Sequence, residues 1–251
     1  LRKQFVRKRP GTVAVAAAIQ HRYGIPTVPH IICSGFTRSE TEYVLIDLNF
    51  LGIHDIFVLR GDNDKECLVP AAECHKHATD LISQINDINN GRFLEGTLND
   101  PLENIFSFGV AGYPEKHEEA PNMESDIRYL KQKVDSGAEY IITQLFYDNR
   151  KFFDFVDRCR AAGINVPIIP GLKPLTKKRQ LTILPKIFKC DIPEELAKAI
   201  EACKDDEAVK RVGIEWLTMQ SKELIAQGVP DLHFYTLSAA DSVREIAKAV
   251  Y

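Results

Sequence analysis

Apolar and polar positions along this chain follow two rhythms. Short runs rich in β-branched and aromatic residues read as strands. Between them lie longer stretches whose apolar residues return every three or four positions, as on one face of a helix. The strand-like runs fall at residues 27–33, 56–59, 105–111, 140–146, 166–171 and 232–236. The helical stretches fall at 40–51, 72–89, 125–136, 149–162, 177–188, 193–202, 206–226 and 239–250. Gly52, Gly137, Gly163 and Gly228 stand just past four of these helices, where a left-handed C-cap belongs. Residues 90–102 are polar and read as a surface insertion.

Six strands, each followed by helix, imply βαβ units and a parallel sheet. A doubly wound sheet would carry a Gly-x-Gly-x-x-Gly turn after its first strand, and none is present. A (β/α)₈ barrel builds its site from the loops that follow its strands. The polar and unusual residues do collect there: His30, Arg60-Gly61-Asp62, the loop 112–117, Thr143-Gln144, Pro170-Gly171 and Tyr235-Thr236. The helix ends carry only glycine and solvent-facing charge. The expected fold is therefore α/β, a (β/α)₈ TIM barrel. Six strands do not close such a barrel, so the reading expects its first one to two βα units to lie outside this chain. No linker rich in Pro, Gly or Ser divides residues 1–251, and one barrel domain is expected.

Composition narrows the function. The 251 residues carry 32 Lys+Arg against 35 Asp+Glu, a net charge of -3, which argues against a partner with a phosphate backbone. The basic run 2–9 reads as a solvated arm. No apolar run reaches the roughly 20 residues of a membrane span, and the charged start does not resemble a secretory signal. Six cysteines without a Cys-x-x-Cys pair read as reduced thiols of a cytoplasmic protein. Cys67, Cys74, His75 and His77 match no common zinc spacing, so no metal is expected.

Each strand-end residue has a structural and a chemical reading. Arg60 and Asp62 can brace a turn at Gly61, or Gly61 can let a ligand approach the backbone while Asp62 accepts hydrogen bonds. His30 lies in an apolar run, where a core histidine is the ordinary reading. Gln144 follows Thr143 in an apolar strand and needs partners for its amide, from the interior or from a ligand. Tyr113 offers a flat ring and His117 a donor. Asp126, Tyr129 and Lys133 recur at helical spacing, on a solvated face or along a cofactor groove. No Ser-His-Asp order, Walker loop or His-Glu-x-x-His motif is present.

Taken in order, Pro29-His30, Leu59-Arg-Gly-Asp62, Ala111-Gly-Tyr-Pro-Glu-Lys-His117, Leu130-Lys-Gln-Lys133-Val-Asp-Ser-Gly-Ala138, Ile142-Thr-Gln-Leu-Phe146 with Asp148, Ile169-Pro-Gly171 and His233-Phe-Tyr-Thr236 resemble the bacterial-type methylenetetrahydrofolate reductase family. The resemblance covers nearly the whole chain. It implies a flavin-carrying barrel that passes a hydride from NADH or NADPH, through FAD and by ping-pong kinetics, to 5,10-methylenetetrahydrofolate, giving 5-methyltetrahydrofolate. It implies that His30, Arg60, Gly61, Asp62, Ala78, Tyr113, His117, Ala120, Asp126 and Lys133 hold FAD. Gln144, Gln180 and Asp62 would meet the folate or nicotinamide, with Asp62 and Gln144 closest to the chemistry. A homo-oligomer is compatible with the family. The family's first strand ends in a glutamate that protonates the folate, and no counterpart is found in this chain. A barrel that binds flavin or folate without turnover is thus the alternative. Ala239, Tyr129 and Gln132 also depart from the residues common in relatives.

Overall fold

The computed structural model describes residues 10–61, 70, 72–237 and 239–251. In chain order its elements are α1 (Thr12–Tyr23), β1 (His30–Ile32), α2 (Arg38–Phe50), β2 (Asp55–Leu59), α3 (Ala78–Asn89), β3 (Arg92–Phe93), β4 (Gly96–Thr97), β5 (Ser107–Gly112), α4 (Met123–Asp135), β6 (Tyr140–Thr143), α5 (Asn149–Ala161), β7 (Ile168–Ile169), β8 (Gly171–Leu172), α6 (Gln180–Phe188), α7 (Glu194–Glu201), α8 (Asp206–Ala226), β9 (His233–Phe234) and α9 (Ala240–Val250). They form two compact units. The first holds the described residues through Val110 together with Ser136–Glu139, and the second holds Ala111–Asp135 and Tyr140–Tyr251.

In the first unit β2 is flanked by two parallel partners, with His30 opposite Phe57 on β1 and Val58 opposite Val110 on β5. Ile56, Phe57 and Val58 are all buried, as the unbroken apolar run required. Leu45 and Leu48 of α2 and Leu81, Ile82, Ile85 and Ile88 of α3 complete this core. Each fully buried aliphatic side chain contributes about 1.5–3 kcal/mol relative to exposure. In the second unit β6 pairs parallel with β7, Ile142 opposite Ile169, and β8 pairs parallel with β9, Gly171 opposite His233. Its core gathers Leu145, Tyr147, Leu175, Leu184, Leu196, Ile200 and Val209. The alternation of strand and helix with parallel pairing is the α/β class that the hydrophobic rhythm predicted.

Local chemistry moved several boundaries. Helix α2 starts at Arg38 because Thr37 and Glu40 form a capping box: Glu40 N–H donates to Thr37 Oγ1 at 3.0 Å and Thr37 N–H to Glu40 Oε2 at 2.7 Å. Helix α3 starts at Ala78 rather than residue 72, because Asp80 Oδ2 collects the N–H groups of Lys76 and His77 and fixes the cap there. The run 166–171 is two short strands, since Pro170 cannot donate to a ladder. Helix α1 has no strong apolar stripe and buries only Ala16, so its alanine-rich propensity forms it without a periodic signal. The polar stretch after α3 includes the antiparallel hairpin β3–β4. Among the described residues there are thus nine strands rather than six, several of them two residues long.

No described helix is long and apolar enough to cross a membrane. The five described cysteines are all free thiols, and no described group of His, Cys, Asp and Glu is arranged to hold a metal ion. Cys67 and the basic run 2–9 lie outside the described residues.

Candidate active site

In the first unit the candidates follow β1 and β2 or open α3. His30 begins β1 rather than ending it, and it is exposed rather than a core residue. Its ring stands 5.2 Å from that of Phe57, and the shelter of the surrounding protein lowers its pKa. A largely neutral imidazole results at neutral pH. Arg60 O accepts the N–H groups of Cys33 and Ser34, so the end of β2 is tied to the turn after β1. Gly61 has φ +83, and a Cβ there would lie 2.4 Å from Ser34 Oγ and 3.3 Å from Ile32 Cβ. Only glycine suits that position on both counts. Ala78 is the first residue of α3, at the positive end of a twelve-residue helix. Asp62 lies outside the described residues.

In the second unit the loop after β5 and the inner face of α4 make one network. His117 N–H donates to Asp126 Oδ2 at 2.8 Å, and His117 Nδ1 accepts Glu119 N–H at 3.1 Å. Nδ1 thus carries no proton, and the neutral ring's proton sits on Nε2. The Tyr113 and His117 rings meet edge to face at 4.7 Å. Lys116 adopts φ +77, uncommon for a residue with a side chain, and its Nζ donates to Ala120 O at 2.6 Å and His117 O at 3.0 Å. Those bonds close the loop over the buried Ala120.

Lys133 stands seven residues after Asp126, two helical turns along one face. Its Nζ donates to Ala111 O at 2.8 Å. Burial of the ammonium lowers the Lys133 pKa to about 8, against the opposing pull of Asp126. Burial raises the Asp126 pKa, while His117 N–H, Lys133 and Lys116 restrain the rise. Tyr129 departs from the expected shared face: it is 49% exposed, with the Arg128 guanidinium 5.6 Å from its ring centroid. The second turn of α4 therefore presents Tyr129 to solvent rather than to the Asp126–Lys133 pair.

A second cluster forms where β6 ends. Thr143 Oγ1 accepts Gly171 N–H at 2.9 Å, and Thr143 O accepts the Tyr235 hydroxyl at 2.9 Å. Gln144 lies one residue beyond the strand rather than within it. Its backbone N–H donates to Gly112 O at 2.8 Å and its Oε1 accepts Leu145 N–H at 2.9 Å. That bond occupies the amide oxygen, and no described residue is seen to accept from the amide NH₂. Gln180 does not join this cluster by any contact seen; its Oε1 takes the N–H groups of Thr176 and Lys177 at the head of α6. A cavity of about 590 Å³ lined by Asp148, Glu194 and Trp216 includes none of the candidate residues.

The sequence did not show the part played by four residues. Tyr235 and Gly171 were marked as strand-end residues, but their convergence on Thr143 depends on long-range pairing. Glu115 is pushed up to about pKa 7, chiefly by burial, while Asp191 N–H donates to its Oε2 at 3.0 Å. Lys173, just past β8, is 2% exposed. A lysine inside the apolar run after residue 166 was the available signal for it.

Comparison with known proteins bears on this arrangement. A family profile described as methylenetetrahydrofolate reductase matches residues 6–251. The Arabidopsis thaliana protein named methylenetetrahydrofolate reductase (NADH) 1 is 34% identical over 243 residues, covering 92% of this chain and 39% of that protein. The Caenorhabditis elegans probable methylenetetrahydrofolate reductase (NADPH) is 33% identical over 251 residues, covering 98% of this chain and 35% of that one. The chain thus spans less than half the length of these two relatives. The Escherichia coli 5,10-methylenetetrahydrofolate reductase is 34% identical over 236 residues, covering 93% of this chain and 73% of that protein. A solved structure of a Clostridium thermocellum protein that binds two copies of 5-methyl-5,6,7,8-tetrahydrofolic acid covers 93% of this chain and 76% of that one, at a TM-score of 0.53 and 16% identity, a likeness of fold alone. The family match runs through every strand end from His30 to Thr236, and the chain belongs to the methylenetetrahydrofolate reductase family.

Proposed function

We propose that the protein reduces 5,10-methylenetetrahydrofolate to 5-methyltetrahydrofolate with NADH or NADPH as hydride donor and FAD as carrier, in a (β/α)₈ barrel. The observation that carries this reading is the family match across residues 6–251. The side chains fit an FAD by their chemistry. Lys133 and Lys116 bring ammonium groups to one loop-and-helix network, suited to phosphate oxygens. The N-terminus of α3 at Ala78 suits a phosphate as well. Tyr113 and His117 offer ring surfaces, and Gly61 clears backbone where a side chain would collide. His30 and Arg60 complete the proposed cofactor set.

The chemistry a bound FAD supplies is hydride carriage between the nicotinamide and the folate, so the two substrates react in alternation. The chain's own groups place and polarise. In this reading the Gln144 amide donates to an acceptor on the folate or nicotinamide, and Gln180 contacts the folate or nicotinamide from the head of α6. Asp62 favours positive charge on the methylene-bearing folate. Asp126 holds the His117 loop and the Lys133 ammonium together, which fixes the cofactor-facing edge. A cytoplasmic enzyme, with a homo-oligomer compatible, completes this reading.

The test is an absorbance spectrum of the purified protein, followed by anaerobic NADH or NADPH and then methylenetetrahydrofolate. Flavin bands that bleach with the nicotinamide and return with the folate are expected. A protein that takes up no FAD, or whose reduced flavin is not reoxidised by the folate, would overturn the proposal.

A further inference from the structure

Lys173 is almost completely buried, at 2% exposure. Among the described residues no hydrogen bond or ion pair reaches its ammonium. Its pKa is lowered by burial alone, with no carboxylate acting to raise it. A buried cation without a partner is costly to a fold, and the ordinary outcomes are pairing or replacement by an apolar residue. Lys173 Nζ is not among the fully enclosed side-chain nitrogens that lack a partner, so the little exposure this residue keeps brings solvent to its ammonium, where a ligand oxygen can take the water's place.

The backbone says which way Lys173 is directed. It follows β8 and precedes Pro174, which disfavours helical geometry and keeps Lys173 extended. Strand alternation then puts Lys173 on the same side as Gly171 and opposite the fully buried Leu172. On the Gly171 side, an added Cβ would meet Thr143 O at 2.0 Å and Tyr235 Cε2 at 2.7 Å. Lys173 therefore emerges on the Thr143–Tyr235 side, in the same unit as Gln144, which directly follows Thr143. The Gln144 amide NH₂ likewise is seen to meet no acceptor among the described residues, while its Oε1 takes Leu145 N–H. Two donors, an ammonium and an amide NH₂, thus belong to the strand ends that meet around Thr143.

We infer that Lys173 is a substrate-binding residue whose ammonium meets an electron-rich oxygen, carboxylate or carbonyl, on the same substrate that Gln144 contacts. This rests on the proposed reductase function, in which two substrates present such oxygens. The folate has a pterin carbonyl and glutamyl carboxylates. The dinucleotide has a carboxamide and phosphates. The chemistry is shared, and the source is decided by binding.

The experiment titrates the FAD-loaded protein and its Lys173→Met variant separately with 5-methyltetrahydrofolate and with NAD⁺, alongside thermal melts. A charge-assisted hydrogen bond predicts a Kd raised about 10- to 100-fold in the variant. The melting temperature should stay level or rise, because a buried unpaired charge has been removed. Weakened folate binding alone assigns the oxygen to the folate, weakened NAD⁺ binding alone to the dinucleotide, and weakening of both to a common position. Lys173→Arg should retain part of the affinity. Both Kd values within twofold of the parent would overturn the inference. So would a fall in melting temperature together with lost binding, which would mark Lys173 as structural. A parent protein that binds neither ligand and does not turn over would overturn the reductase proposal itself, whereas a parent that binds normally beside an unchanged variant overturns only the role of Lys173.

Discussion

Gly171→Ala tests the geometry at the end of β6 directly. The added Cβ would sit 2.0 Å from Thr143 O, 3.1 Å from Thr143 C and 2.7 Å from the Tyr235 ring. Two of the three contacts are backbone, so no rotamer change relieves them. The β8 backbone must move away from Thr143 by more than about 1 Å to restore ordinary contact. That movement breaks the Gly171 N–H···Oγ1 Thr143 bond at 2.9 Å and strains the Tyr235 hydroxyl bond to Thr143 O at 2.9 Å. Overpacking of this kind costs about 1–3 kcal/mol, and each lost hydrogen bond about 1 kcal/mol more. The expected loss is about 3–5 kcal/mol, a fall of roughly 6–20 °C in melting temperature for a chain of this size. Urea unfolding followed by circular dichroism measures the first, and differential scanning fluorimetry the second. Ligand affinity should fall too, because Lys173 and Gln144 lose their common frame. A variant within about 1 kcal/mol of the parent would show that β8 is not packed against Thr143 as described, and the placement of Lys173 would fall with it.

Gly213→Ala should reverse the usual benefit of alanine in a helix, about 1 kcal/mol, because its Cβ would meet Leu175 O at 1.9 Å; a urea midpoint above the parent's would refute that contact. Asp126→Ala should cost about 1–3 kcal/mol by removing the acceptor of His117 N–H and the carboxylate beside Lys133, with Asp126→Asn recovering part of it in the same urea melts and flavin uptake reporting the loop. Glu115 titrates near 7 in the folded protein against 4.5 in an ordinary glutamate, so the fold binds the extra proton in that window. Its stabilising contribution is present below about pH 4.5 and lost as pH rises through 7. Glu115→Gln should therefore match the parent near pH 4.5 and exceed it above pH 7 by up to about 3 kcal/mol; parallel stability–pH curves would refute the burial of that carboxyl.

The hydrophobic rhythm determined the longer helices and the main parallel strands, and with them the α/β class, but not α1 or the β3–β4 hairpin. It worked best where the pattern was long and amphipathic: α8 occupies the span 206–226 read from its apolar spacing. It also placed Asp126 and Lys133 on one helical face, because a period of 3.6 residues is a property of local sequence alone. Boundaries depended on single side chains, as at Thr37 and Asp80, whose caps compete with nearby alternatives and are not fixed by periodicity. Tyr129 shows the limit of the face argument, since its helical spacing was right and its exposure was set by what α4 packs against. Only the tertiary structure could bring Thr143, Gly171 and Tyr235 together, because those contacts join residues 28 and 92 positions apart. The same holds for Lys173. Its sequence neighbours show a cation in an apolar run, but its burial is a property of the assembled fold, where desolvation lowers the pKa of an ordinary lysine.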